Sequence, residues 1–182
     1  MTTQQTAMRD AFGRALVELA DTTPELVVMD ADVSSSTRTG MFADRYPERF
    51  FNVGVAETNM VGIAGGMASA GLRPVVSTFA LFLALKCADQ IRNDLCYNNL
   101  PVILAGGYGG LSDSFDGASH QAITDIAVMR AMPNMTVVVP SDALDVKPAI
   151  EQALQLKGPV FLRLSRNPGP VSVDMDEGFE IG

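Results

Sequence analysis

The chain has 182 residues, of which 47% are hydrophobic and only 7% aromatic, and its net charge is −8. This length suits one α/β domain with a sizeable core. Its 13 lysines and arginines form no basic stripe, so nucleic acid and anionic membranes are not expected as partners. The N-terminus has no export signal, no long apolar span is evident, and Cys87 and Cys96 are expected to be buried thiols in a reducing cytoplasm.

Strands and helices are predicted to alternate along the chain. A helix from Met8 to Leu19 carries apolar residues at helical spacing, and the buried strand Leu26–Asp30 follows it. Further strands are predicted at 49–54, 74–79, 102–106, 136–139 and 160–165, and further helices at 41–45, 57–70, 81–97, 122–131 and 143–156. Because each parallel crossover needs a helix, the order predicts a six-stranded, mainly parallel α/β sheet with helices on both faces.

The alternation stops near residue 170. Phe179-Glu180-Ile181 resembles the start of another strand. We therefore predict one domain over residues 1–170, and a linker or the start of a further C-terminal domain over residues 171–182.

Polar and glycine-rich segments follow the carboxyl ends of the predicted strands, where ligands of parallel sheets bind. In one of them Glu57 is the only charged residue between Arg49 and Arg73, at the start of a helix rich in glycine and alanine. An acid in this place is commonly stabilised by the helix dipole, but it can also be a poorly solvated carboxylate with raised proton affinity. The local pattern leaves both interpretations open.

Four other side chains at this edge have both a structural and a functional interpretation. His120, the only histidine, can cap a helix or act as an acid or base. Phe79 and Phe82 fit the core, or a wall that stacks on a flat ligand. Arg166 fits a surface salt bridge, or a site for a carboxylate or phosphate. No zinc ligand set is present, so no metal site is expected in this chain.

Five blocks in collinear order resemble the pyrimidine-binding domain of transketolases, and most closely the C-terminal subunit of split, two-subunit transketolases. The resemblance extends from about Met8 to Pro170. The blocks are Gly-Val-Ala-Glu-Thr-Asn-Met-Val-Gly-Ile-Ala-Gly-Gly at 54–66, Thr-Phe-Ala-Leu-Phe at 78–82, Asp-Gly-Ala-Ser-His-Gln at 116–121, Met-Arg-Ala-Met-Pro-Asn-Met at 129–135 and Leu-Ser-Arg at 164–166.

The resemblance implies a catalytic and cofactor-binding role for Glu57 in a thiamine diphosphate enzyme. Glu57 would contact the pyrimidine N1′ and share a proton there, which activates the thiazolium C2 as a nucleophile. Phe79 and Phe82 would form the wall against the pyrimidine. The family often has a third aromatic residue in this wall where this chain has Leu85.

The resemblance also implies where substrate binds. His120, which is also expected to take part in catalysis, and Asp116 would contact sugar hydroxyls, and Ser36 and Arg166 would hold a phosphate. Another histidine of long transketolases falls near Tyr108 here, which leaves substrate preference open.

The family's diphosphate and Mg²⁺ site has no counterpart in the sequence. The resemblance therefore implies a partner subunit that holds Mg²⁺ and the diphosphate, and a chain that is inactive alone. Self-association through the same interface is also open. Together the two subunits would transfer a two-carbon ketol unit between sugar phosphates.

The sequence is also compatible with four other functions. They are a 1-deoxyxylulose-5-phosphate synthase-like subunit, a 2-oxo-acid dehydrogenase β-like subunit, a non-catalytic thiamine-binding or assembly module, and a monomeric flavodoxin-like binder of a small ligand.

Overall fold

The computed structural model describes residues 5–171 and 179–181, and its centre is a six-stranded parallel sheet. The strand order β3-β2-β4-β5-β7-β6 confirms the predicted α/β sheet. A second, two-stranded sheet pairs β1 with β8 in antiparallel fashion. The strands are β1 (Gln5–Ala7), β2 (Leu26–Asp30), β3 (Phe50–Asn52), β4 (Arg73–Phe79), β5 (Ile103–Gly107), β6 (Thr136–Val138), β7 (Val160–Arg163) and β8 (Pro168–Pro170).

Helices cover both faces of the sheet, as predicted. One face packs on α1 and α7, and the other on α4, α6 and two π-helical segments, Phe82–Lys86 and Ile91–Cys96. The α-helices are α1 (Met8–Ala20), α2 (Ser34–Thr37), α3 (Gly40–Arg45), α4 (Glu57–Ser69), α5 (Ala88–Gln90), α6 (Asp125–Arg130) and α7 (Val146–Ala153), and a 3₁₀ turn spans Pro47–Arg49.

Two hydrophobic clusters, one on each face, form the core. In β2, Val28 belongs to the cluster under α1 and α7, whereas Met29 belongs to the cluster under α4. Ala105 and Leu104 of β5 divide in the same way. Because alternate residues of a strand point to opposite faces, a sheet buried on both sides requires the continuous apolar runs seen in the sequence.

The strand order reverses beside β2. The chain leaves β2 to form β3 at one edge of the sheet and then returns to form β4 on the other side of β2. Loops diverge at such a point and leave a crevice at the carboxyl ends of the strands. Asp30 and Phe79 are the last residues of β2 and β4, so the predicted site lies at this crevice.

The predicted helix at 81–97 is helical but not uniformly α-helical. The amide of Cys87 donates to the carbonyl of Phe82, and that of Tyr97 to Arg92, both five residues back. A pattern of apolar residues indicates a buried helical face, but it does not show whether the backbone bonds span four or five residues. Both cysteines are buried and unpaired as expected, and burial raises the pKa of Cys87 to about 12 and that of Cys96 to about 11.

Several element bounds differ from the predictions. Helices α6 and α7 are shorter at both ends than predicted, α2 interrupts the polar loop after β2, and β3 is a short edge strand with exposed residues rather than a buried one. The strand β1 precedes the first predicted helix and was not predicted. Residues 172–178 and 182 lie outside the described residues, so most of the predicted linker is not described.

Phe179 and Ile181 are not part of a strand among the described residues, and the further C-terminal domain stays a prediction. Both pack against the core cluster under α7. The backbone amide of Ile181 donates to the side-chain oxygen of Gln152 at 2.8 Å. Among the described residues, no helix is long and apolar enough to cross a membrane.

Candidate active site

Glu57 is the first residue of α4 and its side chain is only 3% exposed. The glycines and alanines of α4 allow the helix to pack closely, and its buried residues Met60 and Ala64 lie against the sheet. This packing withdraws the carboxylate from water, which is one of the two interpretations that the sequence left open. The same position places it at the positive end of the α4 helix dipole.

Lys86 donates to Glu57 through Nζ at 2.7 Å from Oε2. Lys86 lies 29 residues from Glu57 in the chain, so the sequence near Glu57 contained no sign of this ion pair. The Lys86 side chain is 46% exposed, and its ammonium also lies 4.8 Å from the centre of the Phe82 ring. Lys86 links the carboxylate directly to the aromatic residues of the site.

Phe79 and Phe82 form one face of the crevice with their ring centres 5.5 Å apart. Phe79 ends β4 and is buried, whereas Phe82 opens the first π-helical segment and is half-buried. Tyr108 extends this wall, with its ring centre 4.6 Å from that of Phe79. An accessible aromatic surface beside a buried carboxylate suits a flat heteroaromatic ligand with a ring nitrogen.

His120 lies against the same wall. Its ring centre is 5.4 Å from Phe79 and 5.1 Å from Phe82. Its Nδ1 is 3.0 Å from the hydroxyl of Ser119. The imidazole is half-buried at the crevice, which is a suitable place for an acid or base.

The glycine-rich loop after β5 packs closely against Arg163. A β-carbon on Gly109 would come within 2.9 Å of the Arg163 side chain. Arg163 in turn donates to the buried Asp125 at 2.6 Å. The loop leaves Tyr108 with a φ of 62°, an uncommon conformation that turns its ring onto Phe79.

Arg166 follows β7 and stacks 4.9 Å from the centre of the Tyr108 ring. Its Nη1 donates to Asp113 at 3.1 Å. Asp113 is fully buried, and its pKa is raised first by burial and then by Asp116, with Arg166 and His120 acting in the opposite direction. Arg166 is thus a half-buried arginine in a charged cluster and not a surface salt bridge.

Arg9 reaches the same cluster from the first turn of α1. Its Nη1 donates to the hydroxyl of Tyr108 at 3.2 Å and lies 3.5 Å from the carbonyl of Ser36. Its Nε is buried without a hydrogen-bond partner among the described residues. We did not predict Arg9 from the sequence. A cation at the unfavourable end of a helix dipole was the signal that could have identified it.

Ser36 is held in place by the buried Asp30. Asp30 accepts hydrogen bonds from the hydroxyls of Thr37 and Thr39, both at 2.8 Å, and from the amide of Val33. Burial is the main reason that the pKa of Asp30 is raised. These bonds wrap the loop after β2 around one carboxyl group and fix α2 beside Arg9.

The predicted site residues therefore lie in one continuous series of contacts along the crevice. The series begins at Glu57 and Lys86, passes through Phe82, Phe79, His120 and Tyr108, and ends at Arg166 and Arg9. Asp116 adjoins its far end through Asp113, and Ser36 does so through Arg9. The residues that sequence reasoning missed are Arg9, Lys86 and Asp113.

The carboxylate and aromatic wall fit the pyrimidine of thiamine diphosphate. Glu57 offers a buried acceptor for a ring nitrogen, and Phe82 a surface for the ring. Within the part of the chain that the structure describes, no group of three or more histidine, cysteine, aspartate or glutamate side chains is arranged to hold a metal ion.

Residues 4–170 match the family described as the transketolase pyrimidine binding domain. A transketolase C-terminal section from Methanocaldococcus jannaschii is 44% identical over 177 residues, which cover 96% of this chain and 56% of that protein. A 1-deoxy-D-xylulose-5-phosphate synthase from Carboxydothermus hydrogenoformans is 42% identical over 157 residues, covering 86% of this chain and 25% of that protein. The chain thus spans between about a quarter and about half the length of these curated relatives.

A solved structure with the same fold supports this family. It is an inactive β4 tetramer of a split-gene transketolase, with a TM-score of 0.85 and 46% sequence identity. The match covers 96% of this chain and 55% of that one.

Proposed function

The chain belongs to the transketolase pyrimidine-binding domain family, and from this premise we propose that it supplies the pyrimidine-binding half of a two-subunit, thiamine diphosphate-dependent transketolase. The complete enzyme transfers a two-carbon ketol unit between sugar phosphates. The observation that carries this proposal is the buried carboxylate of Glu57, joined by continuous contacts to an aromatic wall and two arginines.

Glu57, Phe79 and Phe82 bind the cofactor's pyrimidine. Glu57 holds a shared proton at the ring nitrogen, because its buried carboxylate has little competing water. Phe79 and Phe82 fix the plane of the ring and exclude solvent from one side. The bound cofactor supplies the nucleophilic carbon that carries the ketol unit.

The other end of the crevice binds substrate. His120 and Asp116 contact sugar hydroxyls, and His120 also moves a proton to or from a substrate oxygen. Arg166 holds the terminal phosphate together with the Ser36 loop. Arg9 joins them, since its guanidinium lies beside Ser36 and has no carboxylate partner within the described ranges.

A partner subunit completes the active site by holding the diphosphate and Mg²⁺. The exposed face of α4 supports such an interface, because Gly62, Ile63 and Gly66 recur on it at helical spacing. Val55 and Leu85, next to the Glu57–Lys86 pair, are 76% and 55% exposed. The recorded inactivity of a β4 tetramer of a related chain supports the need for a partner, and also the option of self-association. The buried, unpaired cysteines support a cytoplasmic setting.

A second candidate is a 1-deoxyxylulose-5-phosphate synthase-like activity. The 42% identity to such an enzyme favours it, although the matched residues cover only 25% of that relative. Pyruvate with glyceraldehyde phosphate, compared with xylulose phosphate and ribose phosphate, distinguishes the two activities in the reconstituted complex. We expect transfer from xylulose phosphate and little product from pyruvate.

Glu57→Gln tests the proposal in the complex with the partner subunit. The amide keeps the shape of the side chain but cannot share a proton in the same way, so we expect ketol transfer to be abolished while assembly is retained. Glu48→Gln is the matched control, because Glu48 is 68% exposed and should tolerate the change. Activity of Glu57→Gln within about tenfold of the parent, a barrier change of about 1.4 kcal/mol, would overturn the role.

A further inference from the structure

Lys86 contacts two of the groups that the proposed function assigns to the cofactor, although that function gives the lysine itself no task. Its ammonium nitrogen lies 2.7 Å from Oε2 of Glu57 and 4.8 Å from the centre of the Phe82 ring. Among the described residues, no other side chain forms a hydrogen bond or ion pair with Glu57. The lysine therefore joins the carboxylate assigned to the pyrimidine nitrogen to a ring assigned to the pyrimidine face.

The π-helical turn at Phe82–Lys86 brings the lysine to this place. The amide of Cys87 donates to the carbonyl of Phe82 at 3.2 Å, so the turn contains one residue more than an α-helical turn. Lys86 lies over the Phe82 ring, whereas its neighbour Leu85 is 55% exposed. The place beside the wall, where the family often has a third aromatic residue, is therefore taken by Lys86. Single π-helical turns of this kind are frequent at functional sites.

The ion pair fixes the orientation of the Glu57 side chain. A glutamate side chain has several rotatable bonds, and a hydrogen bond between charged groups is stronger than one between neutral groups. Because Glu57 is only 3% exposed, water competes little for this bond. Lys86 holds Oε2 and leaves Oε1, which accepts no hydrogen bond from a described residue, to face a ligand.

We propose that Lys86 is a positioning residue for the cofactor. It acts through Glu57 and Phe82, by fixing the carboxylate relative to the ring against which the pyrimidine lies. The proton shared with the ring nitrogen requires such a fixed geometry, because a displacement of about 1 Å in an active site can cost about a hundredfold in rate. The inference rests on the proposed function, since it assumes that Glu57 binds the pyrimidine.

The reconstituted two-subunit complex provides the test, with Lys86→Met and Lys86→Arg beside the parent. Equilibrium dialysis in the presence of Mg²⁺ measures the Kd for thiamine diphosphate. NMR measures how fast the C2 hydrogen of the bound cofactor exchanges with deuterium when no sugar is present.

Lys86→Met keeps much of the length of the side chain but removes its charge. It should raise the Kd about tenfold, because one charged hydrogen bond that orients Glu57 is lost. The deuterium exchange should slow by about tenfold or more, since Glu57 is no longer held in place. Lys86→Arg keeps the charge and should restore both values towards those of the parent. The KM for the sugar phosphates should stay unchanged in both variants, which a general loss of structure would not allow.

Two further variants make the result decisive. Lys147→Met removes a lysine of similar exposure from α7 and should change neither the Kd nor the exchange rate. Lys86→Gln, which is polar and uncharged, supplies the comparison if sedimentation shows that Lys86→Met assembles poorly.

A Kd and an exchange rate within about twofold of the parent values in the uncharged variants would overturn the role of Lys86 while ketol transfer stands. Tighter cofactor binding by these variants would also overturn it, because the lysine would then compete with the pyrimidine for Glu57. A parent complex that binds no thiamine diphosphate and transfers no ketol unit would overturn the proposed function and this inference with it.

Discussion

Glu57 and Lys86 form the ion pair on which the electrostatics of the cofactor end depend. The carboxylate is buried and the lysine is half-exposed, so the two partners contribute unequally to the free energy of unfolding. Removing Lys86 leaves a buried charge without its partner, which costs more than an exposed ion pair is worth.

Lys86→Met should therefore lower the free energy of unfolding by about 1–2 kcal/mol. In a Glu57→Gln background the same change should cost little, which gives a coupling of about 1 kcal/mol. Lys147→Met is the matched control, because Lys147 is 47% exposed and pairs with Glu18 at 2.8 Å, but that glutamate is 55% exposed. Urea unfolding at fixed protein concentration measures these values. Equal costs in both Glu57 backgrounds would show that the pair is not coupled.

The buried Asp30 should make the free energy of unfolding depend on pH. Because burial raises the pKa of Asp30, the folded chain binds its proton more tightly than the unfolded chain. Its favourable contribution is fully present below the ordinary aspartate value of about 4, and is lost as the pH rises through the raised value. The stability of the parent relative to Asp30→Asn should therefore fall from about pH 4 towards neutrality. Urea unfolding midpoints of both proteins across this pH range measure the difference. A stability of the parent relative to Asp30→Asn that rises with pH would contradict the raised pKa of Asp30.

Replacing glycine by alanine should have opposite effects on stability in β5 and in α4. A β-carbon on Gly106 in β5 would lie 2.7 Å from the ring of Phe161 and 3.0 Å from the backbone of Ala80, so Gly106→Ala should destabilise the chain by about 1–3 kcal/mol. Gly66 is exposed in the interior of α4 with nothing within 4 Å of a new β-carbon, so Gly66→Ala should stabilise it by about 0.5–1 kcal/mol. Thermal unfolding of both variants gives the two signs, and a stabilising Gly106→Ala would contradict the packing.

The elements with continuous apolar sequence were predictable, and the others were not. β2 was predicted at Leu26–Asp30 because burial on both faces requires every residue to be apolar until the last. β1 and β8 have only three residues each, one of them with two prolines, and their pairing joins chain segments more than 150 residues apart. No local pattern encodes such a contact.

The candidate site divides in a similar way. Glu57, Phe79, Phe82, His120 and Arg166 were identified because they occur in ordered blocks at strand ends. Lys86 and Asp113 were not, because each acts through a partner at least 29 residues away. The four-residue spacing from Phe82 to Lys86 was the available signal for a shared helical face.

In the molecule as a whole, the candidate site lies beside exposed apolar residues. Val55 and Leu85, which are neighbours in sequence of the Glu57–Lys86 pair, are exposed, and so are Gly62, Ile63 and Gly66 of α4. Small residues on a helix allow close approach of another helix, and exposed apolar side chains at a site mark a contact surface. These exposed residues are where the proposed second subunit would pack and complete the cofactor site.

Reconstitution with a subunit that carries the diphosphate-binding domain tests this claim most directly. Sedimentation with thiamine diphosphate and Mg²⁺ should show a complex of both chains, and only the mixture should transfer a ketol unit from xylulose phosphate to ribose phosphate. Glu57→Gln should form the same complex without activity. Ketol transfer by this chain alone, or a chain that stays monomeric and inactive beside the partner, would contradict the account.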